Sequence, residues 1–301
     1  MKTILIVGCG DVAQRALPWL TRRFRVLALV RRPEAAIALR AQGVTPIIGD
    51  LDYWRSLARV AGVAASVDIV LHSAPPPDRG EDDPRTRRLL AVLGRGESLA
   101  RRLVYISTSG VYGDCHGARV TESRPLSPLT ARAKRRVAAE RHLRAFARRR
   151  QWRLSILRAP GIYAAERLSL KRLKRGDPVL VAEEDVFTNH IHADDLAHAM
   201  MLAIFRGRGG RSYNINDDAA MRMGDYYDGM AGVFDLPRPP RMSRADCAQR
   251  LAPMTMSFMS ESRRLDNTRM KTELRVRLRW PHVIEGLRAI KSSIGTPATL
   301  L

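Results

Sequence analysis

The chain has 301 residues, 45% of them hydrophobic and 27% charged, which is ordinary for a globular protein of one or two domains, and no apolar run approaches the roughly 18 residues of a membrane span. Three scattered cysteines, Cys9, Cys115 and Cys247, lack metal-ligand spacing, and a single lysine before a short apolar run is too little for a secretory signal, so a cytoplasmic location is expected. The net charge of +22 would suit a nucleic-acid binder, but the 46 arginines (52 basic residues less six lysines) run along the whole chain without a finger, basic tail or aromatic stripe, so no specific nucleic-acid partner is expected.

The first segment, KTILIVGCGDVAQRAL over residues 2–17, reads as strand, tight loop and helix. Gly8 permits the turn, Gly10 lets the backbone approach a pyrophosphate, and Ala13 keeps helix and strand close. Helix amides and dipole then face the phosphates, with Asp11 and Val12 at the helix start among the cofactor-contacting positions. A second buried strand, 25–30, ends in Arg31 and Arg32, where an NAD-selective site would place a carboxylate for the ribose 2′-hydroxyl. Two guanidinium groups there suit a 2′-phosphate, so NADP is favoured over NAD. The third strand, 44–48, runs into Gly49, Asp50 and Leu51; Asp50 is placed to accept the adenine amino group. The fourth, 66–71, leads to Ser73 and Ala74 and then to Pro75–Pro77, which stop the strand and expose backbone beside the crevice. Residues 81–88 form a polar rim, and strands follow at 103–107 and 154–157. This alternation predicts an α/β, doubly wound parallel sheet of Rossmann type over 1–162. A smaller helix-rich, substrate-binding region is expected over 163–301, with 212–215 returning to the sheet.

Residues 103–114, LVYISTSGVYGD, followed by SPLTARAK (127–134), RAPGIY (158–163), NHIHADDL (189–196), SYNI (212–215) and RRLDNTRMKTEL (263–274), resemble the extended short-chain dehydrogenase/reductase family. The closer likeness is to its atypical NAD-dependent epimerase/dehydratase-like members. The loop GCGDVA departs from it, having the tighter glycine spacing of ordinary dinucleotide folds. The resemblance implies a Ser or Thr that polarises the substrate oxygen, a Tyr that exchanges its proton, and a Lys that holds the nicotinamide ribose and lowers the tyrosine's pKa. Mapped by motif, the hydroxyl falls on Thr108 and the lysine on Lys134, while Pro160 and Ile162 fall on the cofactor wall.

The tyrosine position, four before Lys134, holds Thr130. A phenol becomes useful near neutral pH beside fixed positive charge; a threonine hydroxyl does not. Candidates for the missing group are Tyr163, beside the expected nicotinamide end, then Tyr112, His116 and Lys134 itself. His190, His192 and His198 with Asp194 and Asp195 invite a zinc site, but the aspartates open an apolar-periodic helix and suit its dipole, so no metal is assigned. The expected function is an NADP-favouring, NAD(P)-dependent oxidoreductase or epimerase-like enzyme on a small carbonyl or sugar-type substrate, with the positive field favouring anionic ones. The alternative is a non-catalytic NADP-binding sensor or regulatory protein. Family members pair through helices corresponding to 84–101 and 128–150, which would make a homodimer, and the sequence leaves that open.

Overall fold

Parallel strands covered by helices on both faces must be apolar on both faces, and the first strand here buries every residue. The computed structural model describes residues 1–95 and 102–295. Its central sheet contains β1 (Thr3–Val7), β2 (Arg25–Val30), β3 (Thr45–Ile48), β4 (Ile69–His72), β5 (Arg102–Thr108), β6 (Arg153–Ala159) and β7 (Arg211–Asn214). All neighbours are parallel, in the order β7-β6-β5-β4-β1-β2-β3. The helices used below are α1 (Asp11–Leu20), α2 (Pro33–Ala41), α3 (Ala58–Val63), α4 (Pro84–Leu93), α5 (Ala131–Arg150), α6 (Ala193–Arg206), α7 (Met223–Val233) and α8 (Val283–Gly295), with short helices also at Leu170–Lys174, Arg244–Arg250 and Pro253–Phe258.

Alternate side chains feed two cores. Ile4 and Ile6 pack with α1, α2 and α6, whereas Leu5 and Val7 pack with α3, α4 and α5. Local chemistry sets the helix ends. Pro84 opens α4 with the Asp83 carboxylate accepting from the Thr86 amide at 3.1 Å. Thr130 caps α5, accepting from the Ala133 amide at 3.2 Å, and Gln151 closes it in the left-handed region at φ 55°. Because the chain reverses its direction of travel across the sheet between β1 and β4, a crevice opens at the carboxyl ends of those strands.

Residues after 162 do not form a block apart from the sheet. Helix α6 packs on α1, and β7 joins the edge with Ser212 opposite Ile156. The remainder gathers around a separate cluster in which α7 and α8 enclose Tyr163, Leu173, Tyr226 and Leu287. Of the two helices expected to pair copies of the chain, the first ends at Leu93, and residues 96–101 lie outside the described residues.

One ion pair fastens α5 to the sheet. Glu140 and Arg158 are 1% and 3% exposed, and their Oε2–Nη2 and Oε1–Nε distances are 2.7 and 3.1 Å. Ser107 donates to Glu140 at 2.7 Å; Arg158 donates to the Tyr112 hydroxyl at 2.9 Å, and that hydroxyl donates to Asn214 on β7 at 2.7 Å. Removing one member strands a buried charge. Glu140→Ala is therefore expected to cost roughly 3–5 kcal/mol in urea unfolding; a loss within about 1 kcal/mol would show that the pair is dispensable.

Candidate functional site

A cleft of about 280 Å3 lies at the carboxyl edge of β1–β4. Of the positions expected to contact a cofactor, Gly8, Gly10, Arg31, Arg32, Asp50, Leu51, Ser73 and Ala74 line it. The loop is built by close approach. Gly8 has φ +87°, and a Cβ there would lie 2.5 Å from the Ala74 nitrogen. The amides of Ser73 and Ala74 both donate to the Val7 carbonyl at 2.9 Å, and the Ser73 hydroxyl donates to the Gly8 carbonyl at 2.5 Å.

Gly10 differs: a Cβ there would meet nothing within 4 Å, because the residue faces the open cleft. It caps α1 without a side-chain acceptor, so the first helix amides lack intrahelical partners and face the cleft as anion donors. Arg31 and Arg32 are exposed, and among the described residues neither makes an ion pair. A helix start without a side-chain cap fits the diphosphate of a dinucleotide, with two guanidinium groups free of ion pairs beside it.

Below the cleft, His72 is buried with its Nε2 2.9 Å from the Thr86 hydroxyl. That hydroxyl gives its one proton to Asp83 at 2.6 Å, so it accepts from His72. Burial pushes His72 down to about 4 and keeps the ring neutral.

At the catalytic edge, Thr108 ends β5 and accepts from the Gly110 amide at 3.3 Å. A Cβ on Gly110 would lie 3.7 Å from the Thr108 hydroxyl and 3.8 Å from the Ala133 Cβ, so the Gly110 turn lies between Thr108 and the first turn of α5. Lys134 projects from the next turn, half-exposed, with Nζ 2.7 Å from Glu81. Its surroundings are partly exposed and ion-paired, not the desolvated pocket that the proton-donor reading requires. Thr130 spends its hydroxyl as the α5 cap.

The aromatic candidates do not reach this edge as titrating groups. Tyr163 is 3% exposed among α7 and α8, edge-on to His190 and His192, and its hydroxyl has no protein partner. Burial, then Asp217 and Asp195, drive its phenol far above the ordinary value, opposite to what an acid-base catalyst needs. Tyr112 is bound between Arg158 and Asn214, and burial pushes it up to about 12. His116 stands on the surface against Asp114 at 3.0 Å.

Other expected contacts also lie elsewhere. Asp11 turns from the cleft to Arg15 and Arg167, both at 2.7 Å, while Arg15 also reaches Asp194 at 2.6 Å and Glu166. Val12 is a core residue of α1, Ile162 packs against the same core, and Pro160 does not line the cleft. His192 caps α6, accepting from the Asp194 amide at 3.1 Å, and Asp195 accepts from the amides of Arg279 and Trp280. Among the described residues no cluster of three or more metal-ligating side chains occurs. Two residues of the expected polar rim, 81–88, take part without having been singled out: Arg85, which lines the cleft, and Glu81, the partner of Lys134.

A model of the NAD dependent epimerase/dehydratase family matches residues 10–216. A curated relative, 4-hydroxy-2-methyl-3-oxo-4-farnesyl-3,4-dihydroquinoline-1-oxide ketoreductase from Stigmatella aurantiaca, is 28% identical over 244 residues, covering 74% of this chain and 70% of that protein. Among solved structures, a functionally unknown conserved protein from Silicibacter pomeroyi is 30% identical with a TM-score of 0.80, covering 98% of this chain and 100% of the other. UDP-glucuronic acid 4-epimerase from Bacillus cereus, in complex with NAD, shares the fold with a TM-score of 0.72 at 16% identity, covering 96% and 99% of the two chains.

Just after β7, Asp217 is 1% exposed and one carboxyl oxygen has no protein partner. Burial raises it from 3.8 to about 8. The folded protein thus holds a proton that the unfolded chain releases, and stability falls as pH rises through that window. Buried His72 and His190, pushed by burial from 6.5 to about 4 and about 3, act oppositely: their contribution is full above 6.5 and is lost as pH falls toward those values. Stability should peak near the crossover around pH 6.5. Asp217→Asn should abolish the decline between pH 6.5 and 8, a slope on the order of 1 kcal/mol per pH unit in chemical denaturation. An unchanged slope would mean that Asp217 is ionised in the folded protein.

Proposed function

The chain belongs to the NAD-dependent epimerase/dehydratase family, and from that premise we propose an NADP-preferring oxidoreductase acting on a small carbonyl or sugar-type substrate. The observation that carries the cofactor preference is the pair of unpaired arginines, Arg31 and Arg32, on the cleft wall at the end of β2. Positions 31 and 32 hold no carboxylate to take a ribose 2′-hydroxyl, and forked guanidinium donors suit a 2′-phosphate. The open space at Gly10 and the uncapped start of α1 fit the diphosphate. The ketoreductase from Stigmatella aurantiaca supports the reaction class at 28% identity, and its substrate remains its own.

A bound nicotinamide supplies or accepts hydride. The chain's own residues arrange the rest. Thr108, fixed at the end of β5, donates its hydroxyl to the substrate oxygen. Lys134 exchanges Glu81 for the ribose hydroxyls and brings its ammonium charge near the same oxygen. Charge at a fixed position stabilises the alkoxide that hydride addition forms, and the alkoxide then takes its proton from water, so that the edge would work with Thr130 in the tyrosine's place.

Two measurements test this. In fluorescence titrations the wild type should bind NADPH more tightly than NADH, and replacing Arg31 and Arg32 together with alanine should weaken NADPH about tenfold or more while leaving NADH within about twofold. Equal losses for both nucleotides would remove the basis for NADP preference. With a carbonyl panel and NADPH, Thr108→Ala should lower turnover about a hundredfold at unchanged cofactor affinity. Wild-type turnover that survives this substitution would take Thr108 out of the chemistry.

A further inference from the structure

At the edge of the sheet opposite the cleft, α1, α5 and α6 each end shortly before a strand begins, so the arginines that close or follow these helices gather at the strand starts. Basic residues suit helix carboxyl ends. Arg102 and Arg153 have no such reason: they open β5 and β6 directly opposite one another in register. Arg102 donates to the Phe205 carbonyl at 3.2 Å, and Arg153 runs past Gly209, where a Cβ would lie 3.7 Å from its Cγ. Burial and then the Arg153 charge hold the Arg102 guanidinium below its ordinary value. Among the described residues neither arginine forms an ion pair, so the fold carries a like-charge repulsion that no described carboxylate neutralises.

The pair continues in both directions. On one side the Phe205 ring, 50% exposed, meets Trp19 edge-on at 5.7 Å, and Arg23 lies 4.4 Å above the Trp19 ring. On the other, Gly209 and Gly210 line a cavity of about 480 Å3 together with Arg144 and Arg148, and no carboxylate lines it. Arg144 is committed to the Gly210 carbonyl at 2.8 Å and the Ser212 hydroxyl at 2.7 Å, with Glu140 at 4.0 Å, whereas Arg148 makes no ion pair among the described residues. Glu273 takes Arg208 and Arg211 out of the run, at 3.6 and 3.2 Å. No stripe of this kind is visible along the chain, because its members come from three helices and two strand starts. Guanidinium groups in a row, an available ring and a recess suit a phosphodiester chain with unpaired bases, since charge tracks the backbone and a ring takes a base. An anionic bilayer fits less well. Insertion needs a broad apolar face, and here Phe24 is buried and Arg23 covers Trp19, which leaves Phe205. We propose that this edge is a binding track for single-stranded nucleic acid without sequence preference, in which Arg23, Arg102, Arg148 and Arg153 take backbone phosphates and Phe205 stacks on a base. It lies across the sheet from the cleft and does not depend on the cofactor assignment.

The test is fluorescence anisotropy of a labelled oligothymidylate of about 20 nucleotides with the full-length protein over a series of KCl concentrations, a length that spans one or more single-strand sites. The wild type should bind with log K falling by about 0.7 per phosphate contact for each tenfold rise in salt, hence a slope near −3 for four contacts. Arg102→Gln/Arg153→Gln should weaken binding about tenfold and make the slope less negative by about 1.4. Phe205→Ala should weaken it about fivefold or more at an unchanged slope. Should Phe205→Ala fail to fold, Phe205→Leu, which keeps the bulk without the aromatic face, carries the same expectation. An arginine-pair variant with wild-type affinity and slope would put the oligonucleotide elsewhere on the molecule. Unchanged affinity in the Phe205 variant would reduce the surface to charge alone. Sedimentation with phosphatidylserine vesicles in the absence of oligonucleotide binding would make the occupant a lipid surface. Each of these results, like the absence of saturable binding at low salt, overturns the proposal.

Discussion

The site depends on a single steric constraint, the approach of Gly8 to Ala74 at the point where the sheet changes direction. Two consecutive amides, of Ser73 and Ala74, share the Val7 carbonyl, and the Ser73 hydroxyl takes the next one. Only a residue without a Cβ, in the left-handed region, fits between them. That packing draws the loops after β1 and β4 together. It aims the start of α1 into the space that opens above them and sets one wall of the cleft. The other wall, from β2 and β3, then brings Arg31, Arg32 and Asp50 to the same space.

Charge is distributed around this cleft by commitment and not by abundance. Most of the arginines that shape the molecule are bound to something definite: Arg158 to Glu140 in the core, Arg15 to Asp11 and Asp194 at the α1–α6 seam, Arg136 to a β5 carbonyl, and Arg85 to Asp52. The Arg15 network also ties the first turn of α1 to the loop carrying Glu166 and Arg167. Against this background, an exposed arginine pair without carboxylate partners is a feature in its own right. The net charge of +22 gives no hint of which guanidinium groups remain available.

Much of the fold was legible in the sequence because it rests on local signals. Apolar runs such as Ile4–Val7 and Val26–Val30 have one way to be buried on both sides, and the Gly8 turn admits few alternatives. The cleft residues followed, since they sit at the ends of those runs. The acid-base candidates did not. Tyr163 looked available because its motif, RAPGIY, places it beside the expected nicotinamide end, yet α7 and α8, which arrive from residues 223–295, bury it. Tyr112 is occupied by Arg158 and Asn214, both far away in sequence. Asp11 seemed destined for the cleft and is taken by Arg167, 156 positions later. Arg85 could not be told from the other arginines, because its role consists of contacts with Asp52 and two proline carbonyls. Burial and long-range pairing are what the linear pattern does not encode. Thr130 lies between these cases: its identity revealed the missing phenol, and its position revealed the helix it caps.

On the proposed reading the cleft holds NADP through Arg31 and Arg32, beside a lysine, Lys134, that changes partner on binding. The most direct measurement is a crystal structure of the protein grown with NADPH. It should show the 2′-phosphate hydrogen-bonded by Arg31 and Arg32, the diphosphate over Gly10 at the start of α1, and Lys134 released from Glu81 to the nicotinamide ribose. A 2′-phosphate pointing into solvent with Lys134 still on Glu81 would contradict it.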